Sequence, residues 1–208
     1  MEESEMLEQI REKALELGAT QSKIIPAKEI VVENRVVLKC RLGCDEYGRK
    51  LTCPPHTIAV DEFRKMLGEY RWALLLKFRS RAQAGPEVAS SLLRTEYDPG
   101  ICAERKTEAA QFWAVWKDQK RKILLAVLEL ERTAFNLGCT LALGFTSGSC
   151  ELCEKCNTAV GICLHPTMAR LPEHAVGINM KETMAKAGIP LSFPFQGHPE
   201  PSGLLLID

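Results

Sequence analysis

Residues 104–137 contain neither proline nor glycine, so this stretch can run as one helix of about 50 Å at 1.5 Å per residue, or as a kinked pair. Within it Phe112, Trp116, Gln119, Ile123, Val127, Leu130, Ala134 and Leu137 share one stripe at helical spacing. The stripe predicts a packing face, and the rest of the chain has to supply the surface it packs against.

That surface is expected from a mixture of short elements. Met6, Leu7, Ile10, Ala14 and Leu17 predict an amphipathic helix that stops at Gly18. Residues 30–39, rich in Val and Leu, predict a strand, or two short strands turning near Asn34, delivering the chain to Cys40. Thr57 is placed to cap a short helix carrying Val60, Phe63, Met66 and Leu67, and residues 72–78 read as a buried strand. Residues 81–100 hold Gly85-Pro86 and Asp98-Pro99-Gly100 around a short helix, as either a mobile excursion or a fixed connection. Residues 139–145 predict a short strand. Asn179 predicts an N-cap, with Glu182 completing a capping box, for a helix that ends at Gly188 and Pro190. Residues 191–203 should be irregular, and 204–207 can add a terminal strand. The expected architecture is one domain, residues 1–208, of α/β or α+β class. It has a small mixed sheet, a long packing helix and a cysteine-rich metal-binding face.

At 46% apolar, the 208 residues can bury a sizeable core. Lys plus Arg equal Asp plus Glu at 27 each, so no global charge favours nucleic acid, and the basic residues 117–122 read as a solvated helix face. Apolar runs such as 73–76 and 204–207 are far too short for a hydrocarbon layer of about 30 Å. The opening is rich in glutamate and lacks a basic segment followed by an apolar leader. This predicts a cytoplasmic protein whose nine cysteines stay reduced. Self-association is left open.

Seven of those cysteines fall into two groups. Cys150, Cys153, Cys156 and Cys163 form C-x2-C-x2-C-x6-C, set among Gly148, Gly161 and Pro166. Equal two-residue gaps turn successive thiols around a tight loop and let them converge on a compact inorganic cluster, as in bacterial ferredoxins. Tetrahedral zinc usually draws on two short cysteine pairs, which suits this spacing less well. Glycines at 148 and 161 can form turns, and they also let backbone amides approach sulfur. Upstream, Cys40, Cys44 and Cys53 form C-x3-C-x8-C before Pro54-Pro55, in a turn-rich loop over residues 40–56. Three thiolates alone would leave one iron of a second cluster open to substrate, whereas a fourth from Cys163, Cys102 or Cys139 would close it. Cys139 lies in an apolar run and reads as a core thiol, and Cys102, near the start of the long helix, reads as a spare buried thiol or a ligand. His56 and His165 read as structural or supporting groups, while Arg49, Lys50 and Arg170 can offset thiolate charge.

The segments C-R-L-G-C-D-E-Y-G-R-K-L-T-C-P-P, G-S-C-E-L-C-E-K-C, G-I-C-L-H-P and E-H-A-V-G-I-N-M begin at Cys40, Gly148, Gly161 and Glu173. Taken together and in this order, they resemble a family of predicted metal-binding proteins found in anaerobic bacteria and methanogenic archaea. The resemblance covers most of the chain and implies that the seven grouped cysteines are metal ligands. After the His-Pro pair the chain departs from the family's usual pattern at Pro172, His174 and Asn179, leaving the cysteines intact.

The expected function is that of an iron-sulfur protein with one or two 4Fe-4S clusters, moving electrons to or from a redox partner protein or small molecule. Two alternatives stand beside it: an enzyme using an open iron on a small substrate, and a structural zinc module that docks a partner. No dinucleotide fingerprint, P-loop or zinc-protease helix is present in the sequence.

Overall fold

Trp72–Lys77 and Ser202–Ile207 are apolar at most positions, and they become the two inner strands of a four-stranded sheet. The computed structural model describes residues 2–92, 98–193, 195 and 197–208. Its strands are β1 (Gln21–Pro26), β2 (Trp72–Lys77), β3 (Leu143–Thr146) and β4 (Ser202–Ile207), ordered β1-β2-β4-β3. The helices are α1 (Glu3–Glu16), α2 (Asn34–Gly43), α3 (Val60–Leu67), α4 (Pro86–Ser91), α5 (Ala103–Asn136) and α6 (Met180–Lys186). Short 3-10 turns cover Ala27–Glu29 and Glu173–Val176. Every strand pairing is antiparallel, so of the two expected classes the fold is α+β.

Alternation along the inner strands explains why they are apolar throughout. Ala73 and Leu75 of β2, with Leu204 and Leu206 of β4, face a core built from α3, α6 and the 173–176 turn. Leu74, Leu76, Leu205 and Ile207 face the opposite core, built from α1 and the C-terminal half of α5. Both faces are covered, so neither strand shows the polar alternation of a half-solvated antiparallel sheet. Gly144 lets α5 lie close against β3, because a Cβ there would stand 2.0 Å from Val127 Cγ1. The N-terminal half of α5 runs past the sheet. There Ala109 and Phe112 join Val88 of α4 in a third, smaller core, with Trp113 and Trp116 packed against it.

The single long helix, the N-terminal helix, the strand at 72–77 and the terminal strand all match expectation. Asn179 caps α6, its Oδ1 accepting from the Glu182 amide at 3.2 Å, but its own backbone amide donates to the Val31 carbonyl at 2.8 Å, so Glu182 does not complete the expected capping box. The short helix expected within 81–100 is α4; residues 93–97 of that excursion lie outside the described residues.

Residues 34–43 correct the sequence reading. They form helix α2 and not a strand, so the first cysteine group begins within a helix. Val36, Val37 and Leu38 favour extended backbone, but that preference is weak beside packing. Here Val36, Val37 and Cys40 turn inward at helical spacing, while Leu38 and Leu42 face solvent. Ala59, not Thr57, is the N-cap of α3. Thr57 instead donates its hydroxyl to the Ala175 carbonyl at 3.2 Å, tying the upstream loop to the 173–176 turn.

Candidate metal centre

Helical geometry puts Cys40 and Cys44 four residues apart on one side of the end of α2, with Cys44 as its C-cap. The loop that follows folds back through turns: Gly48 N donates to Pro54 O at 2.9 Å and Cys53 N to Lys50 O at 3.0 Å. His56 Nε2 sits 3.2 Å from Gly48 O, so this histidine braces the loop. Cys40 and Cys53 are buried, and Cys44 is exposed. Burial pushes the Cys53 thiol up to about 12, and the neighbouring Cys44 and Cys40 add to the shift. Cys40 is raised by burial and by Cys44. Both buried thiols are therefore neutral with no cation present, and a bound metal cation would reverse the sign of the cost of ionising them.

The central group lies on the stretch between β3 and the 173–176 turn. Gly148 takes φ +78°, and a Cβ there would stand 2.9 Å from Lys120 Cδ, so glycine lets the Lys120 stem cross the loop. Lys120 then pairs with Glu151, with both side chains largely buried. Burial pushes the Glu151 carboxyl up, but the Lys120 hydrogen bond and the charges of Lys120, Lys50 and Lys117 hold it below its ordinary value. Cys150, Cys153, Cys156 and Cys163 are all half-buried free thiols. Burial raises Cys150, and Cys153 and Cys163 stand close enough to add to that rise. Cys163 follows on the same stretch of chain. Its sulfur accepts from the His165 amide at 3.4 Å.

The two groups meet. The Leu51 amide in the upstream loop donates to Cys156 Sγ in the central loop at 3.3 Å. Lys50, 8% exposed, joins them a second way: its carbonyl receives the Cys53 amide while its ammonium charge favours ionised Cys150. Of the basic residues expected to offset thiolate charge, Lys50 is in place. Arg170 instead pairs with Glu131 of α5, also bonding the Thr167 and Ala169 carbonyls, and so clamps the end of the central loop to the body. Arg49 is exposed.

Cys139 sits in the α1–α5 core and its thiol contacts Met6 Sδ at 3.2 Å, in line with a packing role. Cys102 is not the expected buried thiol: as the N-cap of α5, where the helix begins, it is exposed. Among the described residues, no three His, Cys, Asp or Glu side chains converge as they would around a single metal ion. Thr52 Oγ1 reaches only the adjacent Cys53 thiol, and the buried Ser147 Oγ has no hydrogen-bond partner among those residues. Thr52 adjoins Cys53 and Ser147 lies three residues before Cys150. An unsatisfied buried hydroxyl costs about 1–3 kcal/mol, and thiolate or inorganic sulfide is an acceptor that a bound cluster would bring. The donor set thus fits a thiolate-ligated cluster.

Beside the upstream group lies a cavity of about 780 Å³, bounded by Cys44 and Cys53 on one side and by the N-terminal half of α5 on the other. Sequence reasoning missed this wall. Trp116 reads as part of the packing stripe and residues 117–122 as a solvated face, yet Trp116, Lys117 and Lys120 border the cavity. The signal was Trp113, Trp116, Lys117 and Lys120 sharing one helical side. His174 also lines the cavity; burial brings it down to about 4, and Lys39 and Lys120 add to the shift, so the imidazole is neutral at pH 7. Its neighbour Glu173 is fully buried, which pushes its carboxyl up to about 7, although Ser202 Oγ donates to it at 3.0 Å.

Two thiol-bearing loops that meet at Leu51 and Cys156 form a surface on which a thiolate-bound group could sit. The family model of the predicted metal-binding protein family DUF2284 matches residues 23–207, and the chain belongs to that family. Comparison with curated proteins and with solved structures finds no significant match in either. No helix among the described residues is long and apolar enough to cross a membrane.

Proposed function

We propose that this chain is an iron-sulfur protein holding two 4Fe-4S clusters and passing single electrons. Cys150, Cys153, Cys156 and Cys163 hold one cluster; Cys40, Cys44 and Cys53 hold most of the other. The observation that carries the reading is the Leu51 amide on Cys156 Sγ, which seats one cysteine loop directly against the other. Such clusters supply one-electron reduction and oxidation when bound. The chain's own part is to aim N–H groups at sulfur, from Leu51 and His165, and to keep the Lys50 ammonium beside both groups. Both features favour the more negative, reduced state.

Zinc is the less favoured occupant. A single zinc ion gathers four ligand atoms within about 2.0–2.3 Å of one point, whereas each thiolate of a cluster binds a different iron and stands further from its neighbours. The equal two-residue gaps between Cys150, Cys153 and Cys156 suit a cluster better than the two short cysteine pairs usual for zinc. The cavity against Cys44 and Cys53 favours a second reading, in which the upstream cluster keeps one iron open to a small substrate and the protein is an enzyme.

Iron, zinc and acid-labile sulfide per chain, measured on anaerobically purified protein, test the proposal. It expects about eight irons and eight sulfides. Stoichiometric zinc without sulfide would sink it and leave a zinc-stabilised module.

A further inference from the structure

We propose that the cavity beside the upstream cysteines is a binding site for a small planar carboxylate, held with its ring on α5 and its far end toward Cys44, Cys53 and His174. About 780 Å³ lies within the range of small-molecule sites, roughly 300–1,000 Å³. Its α5 wall is built for a flat ligand. Trp113 and Trp116 lie one turn apart, and Phe112 holds both from behind, edge-on to Trp113 at 5.3 Å and stacked on Trp116 at 6.0 Å. Phe195 stacks on Phe112 in turn at 5.8 Å. The indoles are therefore fixed before any ligand arrives, which lowers the ordering cost of binding.

Charge picks the anion. Three lysines and three acids line the cavity: Lys120 is committed to Glu151, Glu46 lies 3.9 Å from the Lys50 ammonium, and Asp45 stands beside Cys44 on the wall opposite α5. Lys106 and Lys117, on the same side of α5 as the indoles, have no ion pair among the described residues. They offer two uncommitted ammonium groups at the rim, one on either side of the aromatic platform along the helix. Across the cavity His174 makes no side-chain hydrogen bond with any described residue. It is a neutral group free to donate to, or accept from, a polar substituent at the ligand's far end.

The proposal deepens the second reading of the upstream group and rests on that reading only for what happens to the ligand after it binds. Anaerobic equilibrium dialysis of the purified full chain against benzoate and its neutral isostere benzamide tests it, with iron and sulfide measured on the same samples. The expected result is saturable binding of one benzoate per chain. Benzamide should bind about tenfold more weakly, and the Lys106→Gln/Lys117→Gln double variant should lose about tenfold for benzoate and almost nothing for benzamide. These two lysines are exposed, so the variant keeps its fold. Absence of saturable binding, or equal binding of acid and amide, overturns the proposal. Benzoate binding to protein lacking iron and sulfide would uphold the site and sink the cluster reading. Cluster-loaded protein that ignores benzoate would do the reverse.

Discussion

Cys40 and Cys53 are 9% and 5% exposed and are held by a helix and a braced turn, whereas the four central thiols lie half-buried on a stretch without helix or strand among residues 147–172. The upstream group stands on folded structure: α2 packs on the 173–176 turn, and Thr57 is bonded to Ala175. The central group is held at its margins by Lys120 with Glu151 and by Arg170 with Glu131, and it turns Val160, Ile162 and Leu164 to solvent. The difference teaches how one fold can separate two tasks. On the proposed reading, three thiols on a preformed support beside a cavity would leave a coordination position to be filled from that cavity. Four thiols on a loop can wrap a cluster completely.

The largest effect comes from breaking the two groups separately. Cys153→Ser should cost about four irons and four sulfides per chain while leaving the upstream cluster, and Cys53→Ser should do the converse. Loss of all iron from either variant would mean that the two groups form one centre, and the comparison would fail.

Next in size is the buried support of the upstream group. Glu173 sits at about 7 in the folded state against an ordinary 4.5, so the folded chain binds more protons between those values. Its contribution to stability therefore falls as pH rises from about 4.5 to about 7. His174 sits at about 4 against 6.5, so the unfolded chain binds more protons and stability rises from about pH 4 to about 6.5. The two slopes oppose each other over nearly the same window. Glu173→Gln removes one, and urea unfolding should show a gain of up to about 3 kcal/mol at pH 8 that vanishes below pH 4.5. A variant whose stability tracks the parent at every pH would contradict the assignment.

Lys50→Met sharpens the comparison at the point where the groups meet. Removing a buried positive charge disfavours the reduced clusters, so midpoints in a mediated redox titration should fall by about 60 mV, the one-electron equivalent of a tenfold change. Unchanged midpoints would show that the ammonium does not face the clusters. The smallest effect is none: Cys139→Ala should keep its full iron content, because that thiol is packed against Met6 on the far core. Iron lost there would make Cys139 a ligand.

Elements with one dominant cause were legible in the sequence. Helix α5 has no breaker in thirty-four residues, and β2 and β4 are short apolar runs long enough only for strands. That the C-terminal strand lies inside the sheet was not legible, because strand order follows from packing between distant segments. The edge strand β1, with Gln21, Ser22 and Lys23 in its first half, carries too little pattern to announce itself. In α2, Val36 and Val37 pointed locally to a strand, while the inward turn of Cys40 and the packing of the 173–176 turn favour a helix. The cysteine groups could be read from spacing alone. Their meeting through Leu51 and Cys156, 105 residues apart, could not, nor could the cavity wall on α5, since both exist only once the loops fold back on the helix.

The measurement that tests the central claim most directly is an integrated electron paramagnetic resonance spectrum of the anaerobic, fully reduced protein. Two adjacent clusters predict about two unpaired spins per chain, with lines broadened by magnetic interaction between them. A reduced protein with no iron-sulfur signal would contradict the account.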